Sequence, residues 1–258
     1  MEFLTIFLSG LITVISGVGF ILDKVIESNI RSQFSQVEQL QVRVNNTPNY
    51  QILPGKVDQV LIAGKGLWLT PDIRIGLLEL ETDPIDLDIE KVRNSGKDSL
   101  ANSLRQPLQA GVRLVLTESD INQALESPEV REQLNDLINA VISRGSRRYK
   151  LLNSQVNFLE NNRIYLQVTL QQGDNQPLEI ILNSGVAILS GKSIQLIEPK
   201  LSVDGNPLPP QVIKLFVGSL SQRLNLSNIE DEGITARILQ FQLNPSELEL
   251  AAFVRIKE

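Results

Sequence analysis

The sequence predicts an α+β fold, with a long N-terminal helix and further helices packed on a strongly curved antiparallel sheet. Three observations predict it. Apolar residues near the N-terminus recur with helical spacing, most of the remaining chain alternates apolar and polar residues with period two, and two internal segments return to helical spacing behind clear start signals.

The first element is "FLTIFLSGLITVISGVGFIL", Phe3 to Leu22, which carries no charge. As a helix it spans roughly 30 Å, the thickness of a bilayer core. Residues 1–22 are therefore expected to form a hydrophobic membrane anchor, and residues 23–258 a single α+β domain. A cleaved signal peptide fits less well, because Glu2 precedes the run, no Lys or Arg does, and no small-residue cleavage site follows. A buried core helix is the other reading. Leu22, Val25, Ile26, Ile30, Phe34 and Val37 continue the stripe, which predicts one helix from about residue 3 to about residue 38. Lys24, Arg31 and Arg43 follow the run, and this bias predicts a cytoplasmic domain.

Period-two runs begin at Leu40 with "LQVRV", "VDQVLIA" and "DIRIGLLELE". The apolar phase slips between Gly76 and Leu78, which predicts a bulge there. In "LELETDPIDLDIE", residues 78–90, the acids of each run share one face and the apolar side chains the other, as a half-buried antiparallel strand requires. Carboxylates two apart on a strand stand roughly 6.5–7 Å from each other. They do not converge on a point as metal ligands must. The run is read as a solvated face, with a carboxylate hydrolase or metal-dependent transferase using Glu81, Asp83, Asp86 and Asp88 as the last-ranked alternative.

"LTESDINQAL" opens a helix, with Thr117 and Asp120 as a capping box. Ser127-Pro128 stops it and starts another, Ser as the cap and Pro at the first helical position. Leu134, Leu137, Ile138 and Val141 form the apolar stripe of that second helix. "SRGSRRYK" follows and holds Arg144, Arg147, Arg148 and Lys150 with no acid. Such a cluster suits a helix C-terminus, and equally an anionic headgroup or membrane surface. Four strand-like runs come next, up to "KSIQLIEPKLSV", divided at Asn161-Asn162, Gly173-Asp174-Asn175 and Gly191; an antiparallel meander is expected. "PPQVIKLFVGSLSQRL" places Ile213, Phe216, Val217 and Leu220 at helical spacing, and "GITARILQFQLN" and "ELELAAFVRIKE" close the chain as strands.

Composition excludes several chemistries. The chain has no Cys and no His. Thiolate nucleophiles, disulfides, the Ser-His-Asp triad and nearly all familiar zinc sites are therefore out of reach. A net charge of −6 leaves no electrostatic footprint for nucleic acid. Aromatic residues make up only 5% of the chain, so few large rings fill the interior, and aliphatic faces can leave an elongated apolar groove suited to acyl chains. No catalytic residue, metal ligand or cofactor is expected.

"QLQVRVNNTPNYQILPGKVDQVLIAGKGLWLTPDIRIGLLELETDPIDLDI", "LTESDINQALESPEV" and "LQFQLNPSELELAAFVRI" together resemble the LmeA-like phospholipid-binding family, over nearly all of residues 20–258. The resemblance implies phospholipid binding in the bacterial cell envelope. It also implies an architecture similar to the tubular lipid-binding domains, a long helix wrapped by a curved sheet. It brings no catalytic residues. The envelope it implies and the cytoplasmic side the charges predict disagree. The resulting expectation is a membrane-anchored, non-catalytic phospholipid-binding protein that transfers or presents lipid. Leu134, Leu137, Ile138, Val141, Ile213, Phe216, Val217 and Leu220 would line the acyl chains, and Arg144, Arg147, Arg148 and Lys150 would meet the headgroup. The alternative is a membrane-tethered scaffold that pairs through its sheet edges.

Overall fold

The computed structural model describes residues 27–28, 30–46, 55–88, 90–91, 104–142, 148–223, 225–227, 230 and 233–256. These residues form two compact units. One takes the described residues of Met1–Val115, Ile229–Leu239 and Ala251–Glu258, the other those of Leu116–Asn228 and Gln240–Leu250.

A six-stranded sheet makes up most of the first unit, although residues 116–117, 240–243 and 247–250 of its strands count with the second. Its strands are β1 (Gln36–Asn45), β3 (Gln59–Thr70), β4 (Ile73–Thr82), β6 (Leu108–Thr117), β12 (Ile234–Leu243) and β13 (Glu247–Ile256), in the order β1-β3-β4-β6-β13-β12. Alternation sets which side is buried: Leu40 and Val42 of β1, Val60 and Ile62 of β3, and Leu78 and Leu80 of β4 are all buried, with the exposed Gln41 and Glu79 and the half-buried Leu61 between them. Val57 of the short β2 (Lys56–Val57) and Ile85 of β5 (Ile85–Asp86), which pair with each other, are buried too. Leu87 and Leu104 bridge beside this pair, both buried.

The second unit is a five-stranded antiparallel sheet under three helices. Its strands are β7 (Lys150–Leu159), β8 (Arg163–Gln171), β9 (Leu178–Leu189), β10 (Ser193–Val203) and the short β11 (Asn206–Pro207), in the order β11-β10-β9-β8-β7. This is the expected meander. Its turns are set by residues that tolerate positive φ: Asn161 and Asn162, Ser190 and Gly191, Asp204 and Gly205. The helices are α1 (Glu118–Glu126), α2 (Pro128–Ile142) and α3 (Pro210–Arg223).

Two expectations are corrected. Among the described residues the fold is sheet-dominated rather than α+β, with two large sheets and one two-stranded sheet where one strongly curved sheet around a long helix was expected, so the tubular comparison does not hold. The helix expected to run to residue 38 gives way much earlier. Residues 30 and 31 are helical, a turn follows, and β1 starts at Gln36. The stripe position Phe34 is buried, but in a bend, and the Ser35 amide and hydroxyl both donate to the Trp68 carbonyl at 2.8 and 3.2 Å. Serine competes for backbone partners in this way, and here it joins the chain to the sheet instead of extending the helix. The expected anchor, residues 1–22, lies outside the described residues, and among the described residues no helix is long and apolar enough to cross a membrane.

The phase slip in β4 is real, but it is not an inserted residue. Lys65↔Leu77 and Leu67↔Ile75 stay in step on either side of Gly66 and Gly76; the register shift in this hairpin falls at Trp68/Thr70. Gly66 adopts φ +56, and the buried phase of β3 changes there, from Gly64 and Gly66 to Leu67, while in β4 it passes from Ile75 to Leu78. A left-handed residue re-aims the strand, and only glycine takes that conformation freely. Gly66 also lies under Glu38, whose carboxylate would meet any added Cβ. Glu38 is held at 3.2 Å by Arg74, whose guanidinium sits 5.0 Å from the Trp68 ring centroid.

Candidate functional site

The second unit places its apolar residues around one cavity. Thr117 and Asp120 form the expected capping box: the Asp120 amide donates to Thr117 Oγ1 at 3.1 Å, and the Thr117 amide donates to Asp120 Oδ2 at 2.9 Å. Ser127 ends α1, its amide donating to the Ala124 carbonyl. It also starts α2, where its Oγ accepts from the Val130 amide at 3.3 Å. This tight junction fixes the phase of α2, so that Leu134, Leu137 and Ile138 turn toward the sheet. Facing them are Phe216 and Leu220 of α3, four apart on one side of that helix. The floor comes from in-register strand positions, Val168↔Ile180 and Leu166↔Leu182. Leu151 and Ser154 of β7 close one side.

The cavity is partly open and holds about 140 Å³, and its wall exposes carbon alone. This compares with the roughly 150 Å³ apolar cavity that stays dry and admits a benzene-sized guest. It is well below the roughly 300–1,000 Å³ of a pocket for a larger ligand.

The sequence-predicted residues distribute as follows. Leu134, Leu137, Ile138, Phe216 and Leu220 meet at the cavity. Ile213 and Val217 are half-buried on α3 but do not line it. The Val141 side chain, Arg144 and Arg147 lie outside the described residues. Arg148 and Lys150 are exposed, three residues and one residue before the cavity-lining Leu151. The floor residues of β8 and β9 were not singled out in the sequence. The signal was there, in the alternation of "RIYLQVTLQQ" and "PLEIIL".

A second feature escaped sequence reading. β7 is an edge strand, and polar side chains of α1 and α2 bond its free backbone. Asn122 acts on Val156 as a strand would: its amide donates to the carbonyl at 2.7 Å, and its oxygen accepts from the backbone N–H at 2.8 Å. Asn139 treats Tyr149, the residue just before β7, in the same way, at 2.8 and 2.7 Å. Asn135 accepts from the Leu151 amide, Glu118 from the Phe158 amide, and Arg131 donates to the Leu152 carbonyl. Covering an edge removes a template for pairing with another chain. The scaffold reading, which needs open sheet edges, loses this one. Asn122→Ala is expected to cost about 1–2 kcal/mol, since two part-buried backbone groups lose their partner. Amide hydrogen exchange at Val156 checks it: protection should fall there first.

The acidic run belongs to the other unit. Glu79 and Glu81 are exposed on β4, in a broad groove of about 900 Å³ shared with Arg43, Ala63, Gly111 and Arg113. Glu79 pairs with Arg113 at 3.0 Å, and Glu81 accepts from Gln59 at 2.6 Å. Asp86 holds Lys56 and Arg105 at 3.7 and 3.4 Å, and Asp88 caps the backbone amides of Glu90 and Lys91. Among the described residues, no group of three acidic side chains is disposed to hold a metal ion.

Comparison with curated proteins and with solved structures finds no match. A family model described as LmeA-like phospholipid-binding matches residues 13–253, nearly the whole chain. The chain belongs to the LmeA-like phospholipid-binding family.

Proposed function

We propose that the chain takes up phospholipid by its acyl chains between α2 and α3, over the floor formed by β8 and β9. The observation that carries this is the cavity wall, which offers carbon and no polar atom. A core built only for stability fills such space, because interiors pack as densely as organic crystals. At about 140 Å³ the cavity holds only a few methylenes, so loading requires α2 and α3 to part. Each buried CH₂ returns about 0.8 kcal/mol, so ten of them supply roughly 8 kcal/mol toward that opening.

In this reading Arg144, Arg147, Arg148 and Lys150 face the phosphate at the C-terminal end of α2. Residues 1–22 hold the protein at the membrane, and it passes lipid on or presents it without chemistry of its own. Mass spectrometry of residues 24–258, purified without detergent, tests the proposal: near-stoichiometric phospholipid supports it. A folded, monodisperse and lipid-free sample overturns it. Replacing Arg148 and Lys150 by Ala is expected to weaken binding to anionic liposomes by about 2 kcal/mol, near thirtyfold, at roughly 1 kcal/mol per cation close to the surface. Flotation of the double variant against wild type measures it.

A further inference from the structure

We propose that the outer face of α3 docks on an anionic bilayer surface, which sets one wall of the cavity against the membrane. The proposal rests on the reading of that cavity as an acyl-chain site. α3 is apolar on two sides. Phe216 and Leu220 turn inward to the cavity, while Leu215 is 68% exposed and Val212 45% exposed. A single exposed Leu needs no explanation. Here two apolar side chains, one turn apart, flank the exposed Lys214.

Charge is the second observation. Residues 205–229, which include all of α3, contain no Asp or Glu, although the chain carries 30 of them in 258 residues. The cations Lys214 and Arg223 lie in the same stretch. Even the first turn of α3 lacks the acid that a helix N-terminus favours. A chain of net charge −6 is repelled as a whole by an anionic surface, so an apolar ridge on a segment without acids is a face suited to approach one. This is the chemistry of an interfacial helix, whose apolar side chains enter the headgroup–acyl boundary while cations stay among the phosphates.

A local optical probe tests this in the full chain. Trp68 is the sole Trp, so Leu215→Trp with Trp68→Phe leaves one indole on the proposed face. At 68% exposure the position accepts the ring without repacking, and Val212→Trp in the same background provides a second, independent site. With vesicles of phosphatidylcholine and phosphatidylglycerol, indole emission should shift to the blue. Lipids brominated along the acyl chain should quench it, and both effects should shrink on phosphatidylcholine alone. Emission at both positions that stays unshifted and equally open to aqueous acrylamide overturns the proposal, even if the protein is tethered elsewhere. Lipid found by mass spectrometry with an unshifted indole removes the docking face and keeps the cavity. A shifted indole on a lipid-free protein removes the cavity reading and, with it, the proposal as stated.

Discussion

Ser154→Phe is expected to strip the protein of bound phospholipid while leaving it folded. Ser154 sits on β7 opposite Val168, which in turn pairs with Ile180, so it lines the cavity in the same row as the floor residues, at its β7 side. A phenyl ring there takes up much of the roughly 140 Å³ that an acyl chain would use. Two stability effects oppose each other. Forcing a ring into an interior costs about 1–3 kcal/mol. Removing a void of this size returns up to about 3 kcal/mol, at roughly 24 cal/mol per Å³. The melting temperature should therefore move by only a few degrees, while lipid recovered from detergent-free protein falls at least tenfold. Ser154→Ala keeps the space open and should keep the lipid. If Ser154→Phe retains phospholipid at the wild-type level, the ligand lies elsewhere.

Local signals in the sequence were reliable where one segment determines its own structure. The capping box at Thr117 and Asp120 and the break at Ser127-Pro128 both form as written, and so do the turns of the β7–β10 meander. Such features depend on a few neighbouring residues, so spacing alone specifies them. The inner face of α2 follows from the same local logic, which is why Leu134, Leu137 and Ile138 were legible as a group. What failed was long-range. Alternation shows which face of a strand is buried but not which strand lies beside it. The insertion of β13 between β6 and β12, more than a hundred residues after β6, left no local mark. The same blindness merged two sheets into one curved sheet. At the N-terminus, helical spacing through Phe34 and Val37 survived as a pattern while the helix stopped after Arg31 and Ser35 bonded the Trp68 carbonyl, since a stripe counts apolar positions and ignores competition for the backbone. The amide ladder along β7 was invisible for a related reason. Asn122, Asn135 and Asn139 look like ordinary solvent-facing helix residues until the edge strand arrives beside them.

Leu78→Ala is expected to destabilise the protein by about 4 kcal/mol, and Leu137→Ala by only about 1–2 kcal/mol, although both remove the same atoms. Leu78 is 1% exposed and lies mid-sheet, opposite Gly64 on one side and Leu114 on the other. No void adjoins it among the described cavities, so truncation opens a new one inside a stiff sheet. Leu137 is half-buried and already borders empty space. Truncating it enlarges a cavity that exists and breaks fewer contacts. A loss of 4 kcal/mol is a large share of the roughly 5–15 kcal/mol that holds a protein folded. Urea titration followed by the fluorescence of Trp68, which lies in the same sheet as Leu78, measures the first effect; far-UV circular dichroism, which sees both sheets, measures the second. Because Leu137 belongs to the other compact unit, the Trp68 transition should scarcely respond to Leu137→Ala if the two units unfold separately. Equal costs at the two positions would mean that the space between α2 and α3 is bound as tightly as the centre of the six-stranded sheet. Helices so firmly seated would not part for an acyl chain, and the binding site would have to be sought elsewhere.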